Sequence, residues 1–311
     1  MIRSLNAWTA VPVYKFSTLP SELDITPVTR ADIGRLMIRW VNSHEPAVQR
    51  ELLKLWASQG KNITVSQIEL MVRRGTIPDE VIQGIAEAYR NVMDSVMLPI
   101  MEQTANHIGA EFAAGAGFTW TDSDDFAMQL FGRKDKLAVE LTEGQLQALS
   151  SWVKQYTVTD PVPSGDLARR VRNIVGLTER EALYVENYTQ QLISEQVSPR
   201  TVDKLTSFYS RKLRVARAQR IARTEMSMAA NKANDEGIKQ AIEQGLIDGG
   251  ALWELWDTNG VDPCVTCTGN QAIGWIPYGQ GAVRWDGTPG HVHPHCGCVA
   301  VRGINKGPAI D

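Results

Sequence analysis

Apolar residues in the first half of the chain recur at spacings of three and four, which predicts buried helical faces. The clearest stripe starts after Pro78, and we expect a kink at Pro99 because proline lacks a backbone donor and clashes with the preceding turn. His107 lies at the margin of this stripe and is expected to pack there rather than bind a ligand. The stripe consists of Ile82, Ile85, Tyr89, Val92, Met93, Val96, Ile100 and Ile108.

Capping residues and prolines predict two further helices and a short third one before this stripe. Residues 29–57 favour two helices, with Thr29 as the first N-cap and Pro46 in the first turn of the second. A short helix over 66–74 is expected to end at Gly75.

The apolar spacing of three and four becomes irregular after this stripe and is regular again further along the chain. Residues 114–141, with the acidic cluster 122–125, predict a solvated loop rather than a calcium site, since the Gly and Glu positions of an EF-hand are missing. A capping box at Thr142 predicts a helix ending near Tyr156. Residues 159–165 are rich in Pro and Gly and predict a linker.

Three helices with short connections are predicted after the linker. The first covers 166–174, and the second runs from the capping box at Thr178 to about Glu195. Pro199 opens a long third helix that continues to about Gly245.

These elements predict a mainly α protein with a small α+β module at its C-terminal end. We expect an extended arm over 1–25, a helical domain over 26–162 and a second domain over 163–311. The second domain combines helices over 166–245 with a cysteine and histidine module over 251–302.

Composition is that of an ordinary globular protein, with 43% hydrophobic and 22% charged residues. A formal net charge of −3 argues against a generally basic nucleic-acid coat, although it leaves local patches open. No apolar run approaches the roughly 18 residues of a membrane span. The first residues lack the apolar segment of a secretory signal, so we expect none.

The most specific chemical pattern is a window of thiols and imidazoles near the C-terminus. All four cysteines lie there, as a Cys-x-x-Cys turn followed about 30 residues later by His-Pro-His-Cys-Gly-Cys. Two such groups predict a structural tetrahedral zinc site, whereas two disulfides or four thiols are the alternative. The six candidate ligands are Cys264, Cys267, His293, His295, Cys296 and Cys298. The two cysteines of the first turn are the strongest, Cys296 and Cys298 follow, and His293 is able to replace either of the latter.

Known catalytic motifs do not fit the chain. The cysteine turn matches half of the zinc deaminase signature, but neither upstream histidine is followed by x-Glu. The metalloprotease helix motif and the phosphate-binding loop of nucleotide-driven motors are also absent. A catalytic zinc would need an open coordination position and a nearby carboxylate such as Asp262 or Asp286. We therefore expect no enzymatic activity.

A run of cations on the long helix suggests a nucleic-acid surface. Its members are Arg211, Lys212, Arg214, Arg217, Arg220 and Arg223. The arginines spiral through about 240° of the helix, so some must face protein or water. Ion pairs, including pairs with neighbouring subunits, therefore remain open beside DNA contact.

The second half resembles the phage Mu F-like minor head protein family over about 165–302. The resemblance begins with 176–182 and the basic helix that leads into 221–225, followed by 229–231. Trp253 and Trp256 then precede the first cysteine pair, and 293–298 closes the pattern. The ordered set is more specific than any single piece.

The resemblance implies a structural virion component made in the host cytoplasm and placed inside the head or at the portal vertex. Its expected partners are the portal protein, the major capsid or scaffold protein, or both, with genomic DNA as a further candidate. An internal DNA-binding protein ejected with the genome is the alternative, and a zinc-dependent enzyme is a weaker one.

Overall fold

The computed structural model describes residues 31–158, 163–258, 263–287, 289 and 298–304. The expected arm over 1–25, Thr29 and residues 159–162 of the linker lie outside these ranges. Within them the chain is mainly helical and carries a small three-stranded sheet near its C-terminal end. This confirms the mainly α class with a small α+β module; the zinc remains a prediction.

The helices follow one another with short connections. Their bounds are α1 Ala31–Asn62, α2 Val65–Arg74, α3 Asp79–Val92, α4 Leu98–Ala116, α5 Asp124–Val158, α6 Ser164–Ile174, α7 Glu179–Ser194, α8 Pro199–Glu243, α9 Val265–Ala272 and α10 Gly281–Arg284. A π-helical turn over Met93–Met97 joins α3 to α4. The strands are β1 Leu252–Asp257, β2 Ile276–Pro277 and β3 Val299–Ile304.

The prediction of two helices over 29–57 is wrong, since α1 is a single helix with Pro46 inside it. Pro46 is exposed, whereas Val41, Val48 and Leu52 on either side of it are buried. One apolar stripe therefore continues across the proline. Its burial offsets the roughly 3 kcal/mol that an internal proline costs a helix.

The predicted loop over 114–141 is also wrong for most of its length, because α5 already begins at Asp124. Its inward stripe contains Phe126, Leu130 and Leu137, all buried. Lys134 occupies the position between them, where its Nζ donates to Asp94 Oδ1 at 2.5 Å. This buried lysine interrupts the apolar spacing without interrupting the helix.

Thr142 consequently lies in the middle of α5 rather than at its start. Its hydroxyl donates to the carbonyl of Ala138 at 2.7 Å, one turn earlier. The next helix, α6, begins at Ser164, so the last two residues of the linker predicted over 159–165 are helical.

Other predicted boundaries are confirmed. Gly75 ends α2 in the left-handed conformation with φ 67°. Thr178 and Glu181 form the capping box of α7. A π-helical turn ends at Met97, two residues before Pro99; the kink expected at Pro99 stays a prediction. His107 stacks on Trp40 with ring centroids 4.0 Å apart, as its packing role predicts.

The long helix α8 packs against both α1 and α4. At the crossing with α4, a Cβ added to Gly237 would lie 2.7 Å from Phe112 Cδ1, so this close contact requires glycine. The main apolar core contains side chains from both sides of residue 162. The two predicted sequence domains therefore share one core.

The sheet has the order β2-β1-β3 and both pairings are antiparallel. Burial alternates along β1, which directs Leu252, Glu254 and Trp256 inward. Trp256 pairs in register with Ala300 on β3. This register brings the segment after Cys298 beside β1, and α9, whose first turn holds the other two described thiols, also packs against β1.

Candidate metal centre and the long basic helix

The first cysteine pair forms the start of α9. Cys264 is the N-cap, and its Sγ accepts a hydrogen bond from the backbone N–H of Cys267 at 3.4 Å. Cys264 is half-buried, whereas Cys267 has no exposed surface. This turn places both thiols at one end of a short helix, as the Cys-x-x-Cys spacing predicts.

The third described thiol lies in the same apolar cluster. Cys298 precedes β3 and is buried together with Cys267 and four other residues, and Cys264 packs against this cluster. The other four are Trp256, Ile276, Trp285 and Ala300. The indole rings of Trp256 and Trp285 pack edge to face, with their centroids 5.4 Å apart. No disulfide joins any two of the three cysteines.

The remaining candidate ligands His293, His295 and Cys296 lie outside the described residues. Within the described ranges, no three His, Cys, Asp or Glu side chains converge closely enough to hold an ion. The fold thus gathers three of the six predicted ligands into one cluster and leaves the complete ligand set undetermined.

The donor chemistry of this cluster suits zinc. Thiolates are soft ligands that prefer such an ion, and a thiolate in an apolar site needs a compensating positive charge. In the predicted site Cys264 and Cys267 would supply two ligands, and two of Cys298, Cys296, His293 and His295 would complete the shell. A zinc held by four protein ligands would supply structural cross-linking rather than chemistry.

The cysteine module is attached to α8 by polar side chains. Asn231 Nδ2 donates to the carbonyl of Cys298 at 3.2 Å, and its Oδ1 accepts from the backbone N–H of Ala300 at 3.4 Å. One turn later, Asn234 Nδ2 donates to the carbonyl of Ala300 at 3.4 Å. These bonds join the helix to the start of β3.

A partly buried ionic cluster extends this attachment. Arg302 Nη2 lies 3.0 Å from Asp235 Oδ1 on α8 and 3.9 Å from Glu254 Oε2 on β1. Tyr278 donates to the same Asp235 oxygen at 3.1 Å. Burial raises the pKa of Glu254, while Arg302 and the backbone N–H of Gly281 oppose the shift. Burial and the neighbouring Asp235 likewise raise the pKa of Tyr278.

Asp262 and Asp286 were the carboxylates considered for a catalytic zinc. Asp262 lies outside the described residues. The backbone of Asp286 forms two hydrogen bonds with the side chain of Asn270, each of 2.9 Å. These two hydrogen bonds orient the segment after α10, and neither involves the Asp286 carboxylate.

Four of the six predicted contact cations bind to the protein itself. Arg214 Nη1 donates to the carbonyl of Arg172 at 3.1 Å, near the end of α6, and burial lowers its pKa. Arg217 is buried, and its guanidinium lies over the ring of Trp56 at 5.6 Å.

The last two arginines form ion pairs. Arg220 pairs with Glu181 of the α7 capping box. Arg223 pairs with Glu45 on α1 at 3.0 Å and donates to Asn42 Oδ1 at 2.8 Å. These contacts favour intramolecular ion pairing over DNA contact for this part of the run.

Arg211 and Lys212 differ from the other four because both are exposed. Neither forms an ion pair with any carboxylate in the described part of the chain. Sequence reasoning did not include two further exposed cations on the same helix, Arg200 and Lys204, which lie about three and two turns before Arg211. The sequence could have identified both residues, because positions 11 and 7 residues before Arg211 fall on the same side of a helix.

Sequence reasoning also missed Asp235 and Arg302. They are separated by 67 positions and meet only because β3 packs on α8. No local pattern marks such a pair.

No helix in the described ranges is both long and apolar enough to span a membrane. Comparisons with protein-family models, with curated proteins and with solved structures found no match to this chain.

Proposed function

We propose that the chain is a structural minor head protein of a tailed phage, with a zinc-stapled C-terminal module and no catalytic role. It acts in head morphogenesis, in association with the portal and the inner procapsid. The resemblance of 165–302 to the Mu F-like family is the basis for this assignment.

One structural observation supports the proposal. The separate sequence pieces that carry the resemblance pack into one unit: Asn231 of α8 bonds the carbonyl of Cys298, and Cys298 shares a cluster with Trp256 and Cys267.

Zinc explains how this module holds its shape. Its apolar cluster is small, and metal ligation, on the order of 10 kcal/mol in small zinc folds, supplies stability that burial alone does not. A rigid module on a long helix suits an assembly component, because it presents a fixed surface to a partner at little entropic cost.

Quantitative mass spectrometry of purified procapsids and mature heads tests the function. We expect the protein in one or both particles, in low copy number relative to the major capsid protein. Absence from both overturns the assignment as a head protein.

A variant pair tests the role of the module in assembly. Cys264→Ser with Cys267→Ser is expected to reduce incorporation into particles, while Val265→Thr is expected to leave it unchanged. Val265 is the matched control because it lies in the same turn and its side chain is 90% exposed. Equal incorporation of both variants would show that the thiols are not needed for assembly.

A further inference from the structure

The N-terminal half of α8 carries four cations and a large aromatic ring on one exposed face. At 100° per residue, Arg200, Lys204, Arg211 and Lys212 fall within an arc of about 120°. They span about 18 Å of the helix axis. Phe208 lies within the same arc, and 70% of it is exposed. We call these five residues the basic face.

The charges of the basic face are not neutralised by the protein. Asp203 is the one carboxylate of residues 199–215, and it lies outside the arc and pairs with Arg169 at 3.2 Å. None of the four cations forms an ion pair with a carboxylate of the described residues. A face of one charge sign on a protein of net charge −3 is an uneven distribution that favours an anionic partner.

The exposed ring narrows the choice of partner. Phe208 leaves most of its ring in water in the middle of a cationic surface, and aromatic faces stack on nucleic-acid bases and sugars. Duplex DNA carries one negative charge for each 1.7 Å or so of its axis, so roughly ten phosphate charges match the length of this face.

We propose that the basic face binds the phosphate backbone of a nucleic acid, with Phe208 stacking on an accessible base or sugar. The remaining cations of the run are engaged inside the protein and are not part of the basic face: Arg214, Arg217, Arg220 and Arg223. The proposal does not depend on the head-protein assignment, and either is able to fail without the other.

Titration of the full-length protein with labelled single-stranded and duplex DNA of equal length tests the proposal. Affinity is expected to fall as salt rises, because bound cations release counterions from the backbone. The variant Arg200→Gln, Lys204→Gln, Arg211→Gln, Lys212→Gln is expected to reduce the slope of log K against log salt. The reduction is at most about 3.6 on duplex DNA and about 2.8 on single strands.

Phe208→Ala separates the two forms of nucleic acid. Stacking on unpaired bases predicts a loss of about tenfold or more on single strands, with the salt slope unchanged. A loss confined to single strands identifies an unpaired strand as the preferred ligand. An unchanged affinity on both forms overturns the role of Phe208, even if the four cations are confirmed.

A charge-matched control is available on α1 and α3. Arg39, Arg50, Lys61 and Arg90 are exposed cations there, and none forms an ion pair with a described carboxylate. Changing all four to Gln lowers the net charge by the same amount as the first variant. Thermal unfolding midpoints that match the wild type establish that both variants fold.

The proposal predicts that this control retains the wild-type slope. An equal loss of affinity in the control would show that only net charge matters and would overturn the proposal. Absence of salt-dependent binding in the wild type would overturn it as well. Loss of self-association or of binding to an acidic protein, with DNA affinity unchanged, would assign the face to a protein partner instead.

Discussion

Asn231 on α8 forms hydrogen bonds with the carbonyl of Cys298 and with the backbone N–H of Ala300, and so holds the beginning of β3 against the helix. The same Nδ2 also donates to the carbonyl of Ser227 one turn earlier, at 2.9 Å. One buried side chain thereby satisfies backbone groups of two different elements. The position of Cys298 relative to α8 depends on this residue.

Removal of these hydrogen bonds should destabilise the protein. Asn231→Ala leaves buried backbone groups of Cys298 and Ala300 without partners, which costs about 1–3 kcal/mol. The free energy of unfolding in urea measures the loss. Asn91→Ala, at an exposed position of α3, is the control and is expected to change stability by less than about 0.5 kcal/mol. Similar values for the two variants would contradict the anchoring role of Asn231.

The second prediction concerns the stability effect of replacing Gly176, which lies between α6 and α7. Gly176 has φ 82°, and a Cβ added there would lie 2.4 Å from Trp56 Cγ. Gly176→Ala therefore combines backbone strain with displacement of a buried indole, and we expect a loss of at least about 2 kcal/mol.

The matched substitution lies in α3. A Cβ added to Gly84 meets nothing within 4 Å, so Gly84→Ala is expected to stabilise the protein by about 0.5–1 kcal/mol. Opposite signs for the two glycine variants in urea unfolding would confirm the close contact between Gly176 and Trp56. A neutral Gly176→Ala would contradict it.

We expect the free energy of unfolding to depend on pH through the carboxyl group of Glu254. Burial raises its pKa in the folded protein above the ordinary value of 4.5, so the folded state holds this proton more tightly than the unfolded state does. The resulting stabilisation is fully present below the unfolded pKa and is lost as the pH rises through the folded pKa. Glu254→Gln removes this contribution. The stability of the variant relative to the wild type should therefore increase from below pH 4.5 towards neutrality.

Urea unfolding across this pH range gives the measurement, and Glu69→Gln at an exposed position controls for the loss of one carboxylate. A difference between Glu254→Gln and wild type that stays constant with pH, or decreases, would contradict the effect of burial on Glu254.

Capping residues and glycines in the sequence correctly predicted the helix ends at which they lie. The capping box of Thr178 and the terminal Gly75 act within a few residues, so the chain specifies them without help from the fold. The length of α8 followed from Pro199 at its start and from the absence of any later proline within it.

Tertiary contacts decided the features that sequence reasoning missed. The loop predicted over 114–141 is largely helical, because Phe126, Leu130 and Leu137 of α5 are buried against other helices. The partners of Arg220 and Arg223 lie on α7 and α1, far away along the chain. The cysteine spacing predicted that thiols meet, but it did not indicate that α8 would hold one of them in place through Asn231.

Zinc X-ray absorption on full-length protein purified without chelator tests the central claim most directly. We predict one zinc per chain, with a first shell dominated by sulfur at about 2.3 Å and no open position. Cys267→Ser should lose the metal, and the exposed Val265→Thr should retain it. A folded protein without zinc, or with its cysteines joined in disulfides, would contradict the account.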